Sequence, residues 1–245
     1  MSLWNPDVDH RLNVRIEEPS GDPEADLMAG IGLLAAVRDG EVPAALRIYR
    51  PDPTLAFGQR DVRLAGYPLA VARSLEHGFA PVVRKAGGRA AAYHRGTVIV
   101  DHVEPADEAM MGHQHRFKVL GALYAEALRR GGIDARVGEI AGEYCAGEFS
   151  VHGVPGAASR TPNAVKLVGT AQRVVSGAWL FSSVFVIEDS APIRALLDDV
   201  YRAMEIPMDA ATVGAADDLL PGYSTETFIA DLLAEYAQHA ELAGA

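Results

Sequence analysis

The stretch AVKLVGTAQRVVSGAWLFSSVFVI, residues 164–187, decides the fold. Ala164–Val168 and Ala171–Val175 read as strands flanking Gly169, and Ala178–Ile187 reads as a long apolar strand. Working upstream, Gly153–Pro162 is a Gly/Pro/Ser loop. Before it lie an extended segment, Glu148–His152, and a loop carrying Cys145. A strand is expected near Ala135–Val137. His113–Arg130 is an amphipathic helix, with Phe117, Leu120, Tyr124 and Leu128 at helical spacing and Gly131-Gly132 closing it. Ala90–His94 and Thr97–Val103 form a hairpin pattern around Arg95-Gly96, with a short strand, Pro81–Arg84, ahead of it.

Further upstream, Pro68–His77 reads as a helix stopped by Gly78. Thr54–Phe57 and Ala44–Tyr49 read as strands. Pro23–Arg38 reads as a helix with Asp22 as N-cap, Pro23 in its first position and Gly40 past its end. Downstream, Ser190–Met204 is a helix, Pro207–Pro221 a connector, Thr225–His239 a last helix and Glu241–Ala245 a frayed tail. Helices interrupt strand pairs without regular alternation. The fold class expected is α/β of the α+β type: a mixed, largely antiparallel sheet with helices packed on it. No linker or repeat divides residues 1–245, so one domain is expected.

Of the 245 residues 49% are hydrophobic, enough for a sizeable core, and only 7% are aromatic, so that core is built from small and aliphatic side chains. The net charge of -11 argues against nucleic acid or an anionic membrane as a partner. Against that background Arg84, Lys85, Arg89 and Arg95 form a local basic cluster. A single cysteine permits no intrachain disulfide. No apolar run reaches the ~20 residues that span a bilayer. Met1-Ser2-Leu3 does not begin a signal peptide, so a cytoplasmic location is expected.

Three segments carry candidate chemistry. In Arg84-Lys85-Ala86-Gly87-Gly88-Arg89, followed by Ala90–His94, paired glycines allow backbone N–H groups to approach a carbonyl or phosphate, although a strand-entry turn uses the same residues. In Tyr144-Cys145-Ala146-Gly147-Glu148-Phe149, the cysteine sits in a Gly-rich polar loop; lone cysteines are commonly inert apolar residues, but a nucleophile needs this kind of exposure. In Lys166-Leu167-Val168-Gly169-Thr170-Ala171, the lysine is either a solvated edge residue or a cation aimed into a cleft. His113 and His115 are two apart on a helix start and do not share a face, so they are not read as a metal pair, and no metal site is expected. His77 is read as complementing a helix dipole.

Taken in order, these segments resemble the lipoate-protein ligase and octanoyltransferase family, which shares its catalytic fold with biotin protein ligases. The resemblance rests on the Arg84–His94 segment, on the Lys-x-x-Gly-x-Ala motif of Lys166, Gly169 and Ala171, and on Pro53–Gln59 with Gly58. It covers roughly residues 49–187. Tyr-Cys-x-Gly before the lysine motif resembles the amidotransferase branch, which uses a cysteine to move octanoyl from the glycine-cleavage H protein to a lipoyl domain. Two departures stand out. Arg89 occupies a place where ligases favour glycine, and Phe181-Ser182-Ser183-Val184 replaces a His-Gly pair found in many relatives. After Ile187 there is room for two helices only, so no accessory C-terminal domain is expected.

The resemblance implies octanoyl or lipoyl transfer to a lysine of a lipoyl domain through a thioester on Cys145. Lys166 would supply a cation, and Arg84, Gly87, Gly88, Arg89, His94, Gly58, Gly169, Thr170 and Ala171 would line the substrate site. For His94 a structural, hydrogen-bonded role is the competing reading. Implied partners are a donor carrier, H protein or acyl carrier protein, and the lipoyl domains of 2-oxoacid dehydrogenases as acceptors. A transferase of this kind needs no cofactor. Two other readings stay open: an ATP- and Mg²⁺-dependent lipoate ligase working through an acyl-adenylate, and a non-catalytic module that binds lipoyl domains.

Overall fold

The computed structural model describes residues 11–244. The Met1–Leu3 segment and Ala245 lie outside them. In chain order the elements are β1 (Arg11–Glu17), α1 (Pro23–Arg38), β2 (Ala45–Tyr49), β3 (Thr54–Phe57), α2 (Tyr67–Glu76), β4 (Ala80–Val83), β5 (Ala91–Tyr93) and β6 (Thr97–Ala106). They continue with α3 (His113–Arg130), β7 (Asp134–Val137), β8 (Val151–Val154), β9 (Val165–Val175), β10 (Gly177–Val186), α4 (Ser190–Ala203), α5 (Ala216–Leu219), α6 (Thr225–Tyr236) and β11 (Glu241–Ala243).

Eight strands form one sheet in the order β11-β1-β2-β6-β10-β9-β8-β7, and β4-β3-β5 form a second, smaller one. From β2 to β7 every neighbour in the large sheet is antiparallel; β11, β1 and β2 run parallel. The α/β class and the largely antiparallel sheet agree with the sequence reading. Among the described residues no helix is long and apolar enough to cross a membrane.

Local chemistry explains the clearest elements. The Asp22 carboxylate accepts from the backbone N–H groups of Glu24 and Ala25, and Pro23 starts α1 with a preset φ. On one face of the large sheet, α3 and α6 bury Leu120, Tyr124, Phe228 and Leu232 against Leu46, Val100 and Phe185. The other face carries two apolar clusters. One, under α1, holds Leu33, Leu34, Val37, Ala45, Val103 and Leu180. The other, under the small sheet and α4, holds Tyr49, Leu55, Ile99, Val184 and Leu197.

Several boundaries differ from the sequence reading. The strands expected on either side of Gly169 are one strand, β9, because Gly169 keeps its place opposite Val184 in the antiparallel ladder. Glu148–Ser150 is not extended: Ser150 N–H turns back onto the Gly147 carbonyl, and pairing starts at Val151. The connector Pro207–Pro221 contains a 3₁₀ turn at Ala210–Thr212 and α5. The tail expected to fray instead pairs Glu241–Ala243 alongside Arg11–Asn13. Strand β1 itself has no counterpart in the sequence reading.

The Phe185 ring is fully buried, edge-on to Tyr124 at 4.8 Å between centroids and 4.6 Å from Phe228. Phe185→Ala is therefore expected to cost roughly 3–5 kcal/mol, read as a lowered urea midpoint with an unchanged m-value.

Candidate active site

The site forms where the Gly87-Gly88-Arg89 loop meets the loop before β8. Strand β4 ends as Arg84 N–H donates to the Phe57 carbonyl, which sets the glycine loop over Gly58. A Cβ on Gly58 would lie 1.9 Å from the Gly88 carbonyl oxygen, so the two segments can stack only without that side chain. Gly88 has φ of +103°, and a Cβ there would lie 2.9 Å from the Cys145 sulfur. The glycine pair thus lets the backbone reach the thiol.

Cys145 is half-buried and has φ of +44°, a left-handed conformation that costs a non-glycine residue about 1–2 kcal/mol. Neighbours hold it there. Its N–H donates to the Tyr201 hydroxyl at 2.9 Å, and that hydroxyl donates to the Ala90 carbonyl at 2.9 Å. Its carbonyl accepts from Lys166 Nζ at 2.9 Å. The sulfur accepts from Arg89 N–H at 3.1 Å, with Arg84 Nη2 at 3.7 Å. Burial first, and then charge at Cys145, hold the Tyr201 phenol well above its usual pKa, so it stays a neutral donor.

Lys166 is 1% exposed, which rules out the solvated-edge reading. Its ammonium donates to Glu143 Oε1, to the Tyr144 carbonyl and to the Cys145 carbonyl, each at 2.9 Å. An ammonium has three protons, and these acceptors take all three. Lys166 therefore anchors the backbone of the cysteine loop to β9, and the cation beside the sulfur is Arg84. Glu143 is also buried; it accepts from Ser150 Oγ at 2.6 Å and from Ile140 N–H at 3.1 Å.

Arg84 is 9% exposed and donates to the Arg89 carbonyl and the Tyr93 hydroxyl. Burial opposes its charge, but Tyr93 and Cys145 keep its pKa above the usual guanidinium value. Its Nε is buried with no hydrogen-bond partner. Arg89 Nη1 pairs at 3.0 Å with Asp61, a fully buried carboxylate that also accepts from Gly58 N–H.

The sulfur lies between two cavities. An inner one of about 100 Å³ is lined by Arg84, Gly88, Ala91, Gly169, Thr170 and Val184. An outer cleft of about 360 Å³ is lined by Arg60, Arg89, Tyr201 and Ile206. Cys145 borders both. A neighbouring cleft of about 350 Å³ is walled by Arg60, Arg63, Lys85 and Gly87. Arg84, Gly88, Arg89, Gly169 and Thr170 thus line the cavities that Cys145 borders, Gly87 walls only the neighbouring cleft, and Ala171 lines a further recess beside Arg84.

Gly58 works by close packing rather than by lining a cavity. His94 is buried and fully engaged: Nδ1 accepts from Gly96 N–H and Nε2 donates to the Asp189 carbonyl, which is the structural alternative. His77 bonds Asp199 rather than acting on the dipole alone. Glu143 and Tyr201 were missed in the sequence. Glu143 lies two residues before Cys145, where an acid next to a buried lysine is the available signal. Tyr201 comes from α4, beyond the matching motifs, and carries no local signal.

Two outcomes follow. Lys166→Met strands the Glu143 charge in the interior and is expected to cost roughly 3–5 kcal/mol by chemical denaturation, with much of that recovered in Lys166→Met/Glu143→Gln. Tyr201→Phe leaves the Cys145 N–H unpaired and is expected to cost about 1–3 kcal/mol while changing the rate of iodoacetamide labelling at Cys145.

Comparison with known proteins places this geometry. Residues 30–237 match the family described as lipoyl protein ligase A/B catalytic domain. The octanoyl-[GcvH]:protein N-octanoyltransferase of Geobacillus kaustophilus is 25% identical over 179 residues, 73% of this chain and 60% of that protein. The enzyme of the same name from Exiguobacterium sibiricum is 27% identical over 165 residues, 65% of this chain and 55% of that protein. The matched region therefore spans under two thirds of these relatives. Among solved structures, a lipoate-protein ligase A bound with ATP superposes with a TM-score of 0.71 at 18% identity, covering 96% of this chain and 88% of that one. A bipartite lipoate protein ligase from Thermoplasma acidophilum, solved in work that includes its E2 lipoyl domain, gives 0.65 at 17% identity, covering 96% and 87%. At these identities the structures show a shared fold, and the family match over most of the length shows that the chain belongs to the lipoyl protein ligase A/B catalytic domain family.

Proposed function

We propose that this chain is an acyltransferase that moves a medium-chain acyl group, octanoyl in the first instance, onto a lysine of a lipoyl domain through a thioester on Cys145. The observation that carries this reading is the position of the sulfur. It borders a small inner cavity suited to an acyl tail and an open outer cleft from which a carrier lysine can reach it. The names of the two octanoyltransferase relatives support H protein as the donor.

The Cys145 sulfur attacks the donor carbonyl. The S–C bond forms as the bond to the donor lysine nitrogen breaks, and the departing amine takes up a proton. The acceptor lysine then attacks the thioester, loses a proton and releases the sulfur. Splitting the exchange through a covalent intermediate lowers each barrier. Arg89 N–H and the Arg84 guanidinium sit at the sulfur, where negative charge collects in both halves. Arg84 lines the inner cavity, so its guanidinium is the charged donor available to the acyl carbonyl oxygen. Lys166 and Tyr201 hold the Cys145 backbone in its strained turn, so the sulfur is presented without reorganisation. One amide replaces another, so the balance requires no ATP.

Octanoylated H protein should leave an octanoyl adduct on Cys145, seen by mass spectrometry, and transfer to a lipoyl domain without ATP. Cys145→Ala should abolish both. Arg84→Met should slow acylation about 10²–10³-fold, the range for loss of an oxyanion donor. Transfer that depends on ATP and survives Cys145→Ala would establish a ligase instead. Binding of lipoyl domains without turnover would establish the binding module.

A further inference from the structure

Asp61 lines neither of the cavities that meet at the sulfur, yet its carboxylate is fully buried. It opens the short 3₁₀ turn Asp61–Arg63 that follows β3. Its backbone N–H donates to the Gly58 carbonyl at 3.0 Å, and its Oδ2 accepts from the Gly58 N–H at 2.8 Å. Its Oδ1 accepts from Arg89 Nη1 at 3.0 Å, across 28 residues of sequence. A buried carboxylate is costly unless it is paired and hydrogen-bonded, and Gly58 and Arg89 are the groups that meet it. The turn after β3 is thereby tied to the end of the glycine loop.

The backbone of Arg89 carries two further contacts. Its N–H donates to the Cys145 sulfur at 3.1 Å. Its carbonyl accepts from Arg84 Nη2, the atom that lies 3.7 Å from the same sulfur. Among the described residues these are the two donors that reach the thiol. Arg89 is one of them and holds the other.

The remaining restraints act at the start of the loop. There Arg84 N–H donates to the Phe57 carbonyl, and the Lys85 carbonyl accepts from Arg173 Nη1 at 3.2 Å. Gly87 and Gly88 follow, and they leave the backbone free to turn. A hydrogen bond to a thiol is weak and cannot hold the loop's end by itself. The charge-assisted contact between Asp61 and Arg89 is the strong one.

We infer that Asp61 is a positioning residue for acyl transfer: through Arg89 it holds the glycine loop so that the Arg89 N–H and the Arg84 guanidinium bear on the Cys145 sulfur. This rests on the transferase reading, in which that sulfur carries negative charge in both half-reactions. Asp61 and Arg89 cancel each other's charge, so the cation left beside the thiol is Arg84. Positioning and plain charge have opposite consequences. A carboxylate acting by charge alone disfavours a nearby thiolate, so its removal would lower the pH needed to ionise Cys145. A carboxylate acting through the loop keeps a donor and a cation on the sulfur, so its removal raises that pH.

The test is the pH dependence of iodoacetamide labelling at Cys145 in the full chain, read by mass spectrometry. Easier entry past a loosened loop changes the plateau rate but not the half-maximal pH. The near-isosteric Asp61→Asn should raise the half-maximal pH by about one unit, as expected for losing part of a hydrogen bond to a charged group. It should also slow octanoyl adduct formation from octanoylated H protein about ten-fold, with the donor KM little changed. Arg89→Ala should give the same shift, and Asp61→Asn/Arg89→Ala should be no worse than either alone. The contact is one N–H on one oxygen, so Arg89→Lys should restore most of the wild-type profile. The Arg89 side chain is 36% exposed, and its variants carry the test where Asp61→Asn does not fold. An unchanged or lowered half-maximal pH in either single variant overturns the inference, as do shifts that add in the double variant. The expected shifts without any octanoyl adduct on the wild type would leave the positioning role at the sulfur standing and remove the transfer reading.

Discussion

Lys166 places a positive charge in the interior, and the arrangement of the site depends on how that charge is met. An unpaired ammonium there would be prohibitive, so the cysteine loop folds back to supply Glu143 and two carbonyls. Those carbonyls belong to Tyr144 and Cys145. Satisfying the lysine and fixing the Cys145 backbone are therefore one event. Ser150 and the Ile140 N–H complete the Glu143 carboxylate, which ties the loop to the start of β8 as well.

The strained turn at Cys145 is affordable because three elements converge on it: β9 through Lys166, α4 through Tyr201 and the glycine loop through Arg89. Each approach depends on the absence of something. Gly58 and Gly88 lack side chains where backbone must touch backbone or sulfur. The third position of the loop, Arg89, is turned away into an ion pair with buried Asp61, so a long side chain there does not obstruct the thiol.

The large sheet contributes more than a platform. Its register sets apolar and polar rows side by side, and the two apolar clusters on that face are separated by the Arg47–Asp101–Ser182 row. A buried ion pair of this kind adds little to stability compared with hydrophobic residues of similar volume.

By itself the sequence determined whatever is local. The α1 cap is read from Asp22 and Pro23, α3 from its apolar spacing, and the β10 strand from its apolar run, because the forces involved act within a few residues. It also marked Cys145, Lys166 and the glycine pair as belonging together, through motif order. Tertiary structure alone decided which groups each of them meets. Lys166 looked like a cation for the thiol; its acceptors, 21 to 23 residues away, make it an anchor. Tyr201 reaches Cys145 across 56 residues, and Arg47 reaches Asp101 across 54. Strands β1 and β11 exist only because opposite ends of the chain meet. No pattern along the chain encodes such pairs, since their hydrogen bonds and charges are matched only after strand register and helix packing bring them within about 3 Å.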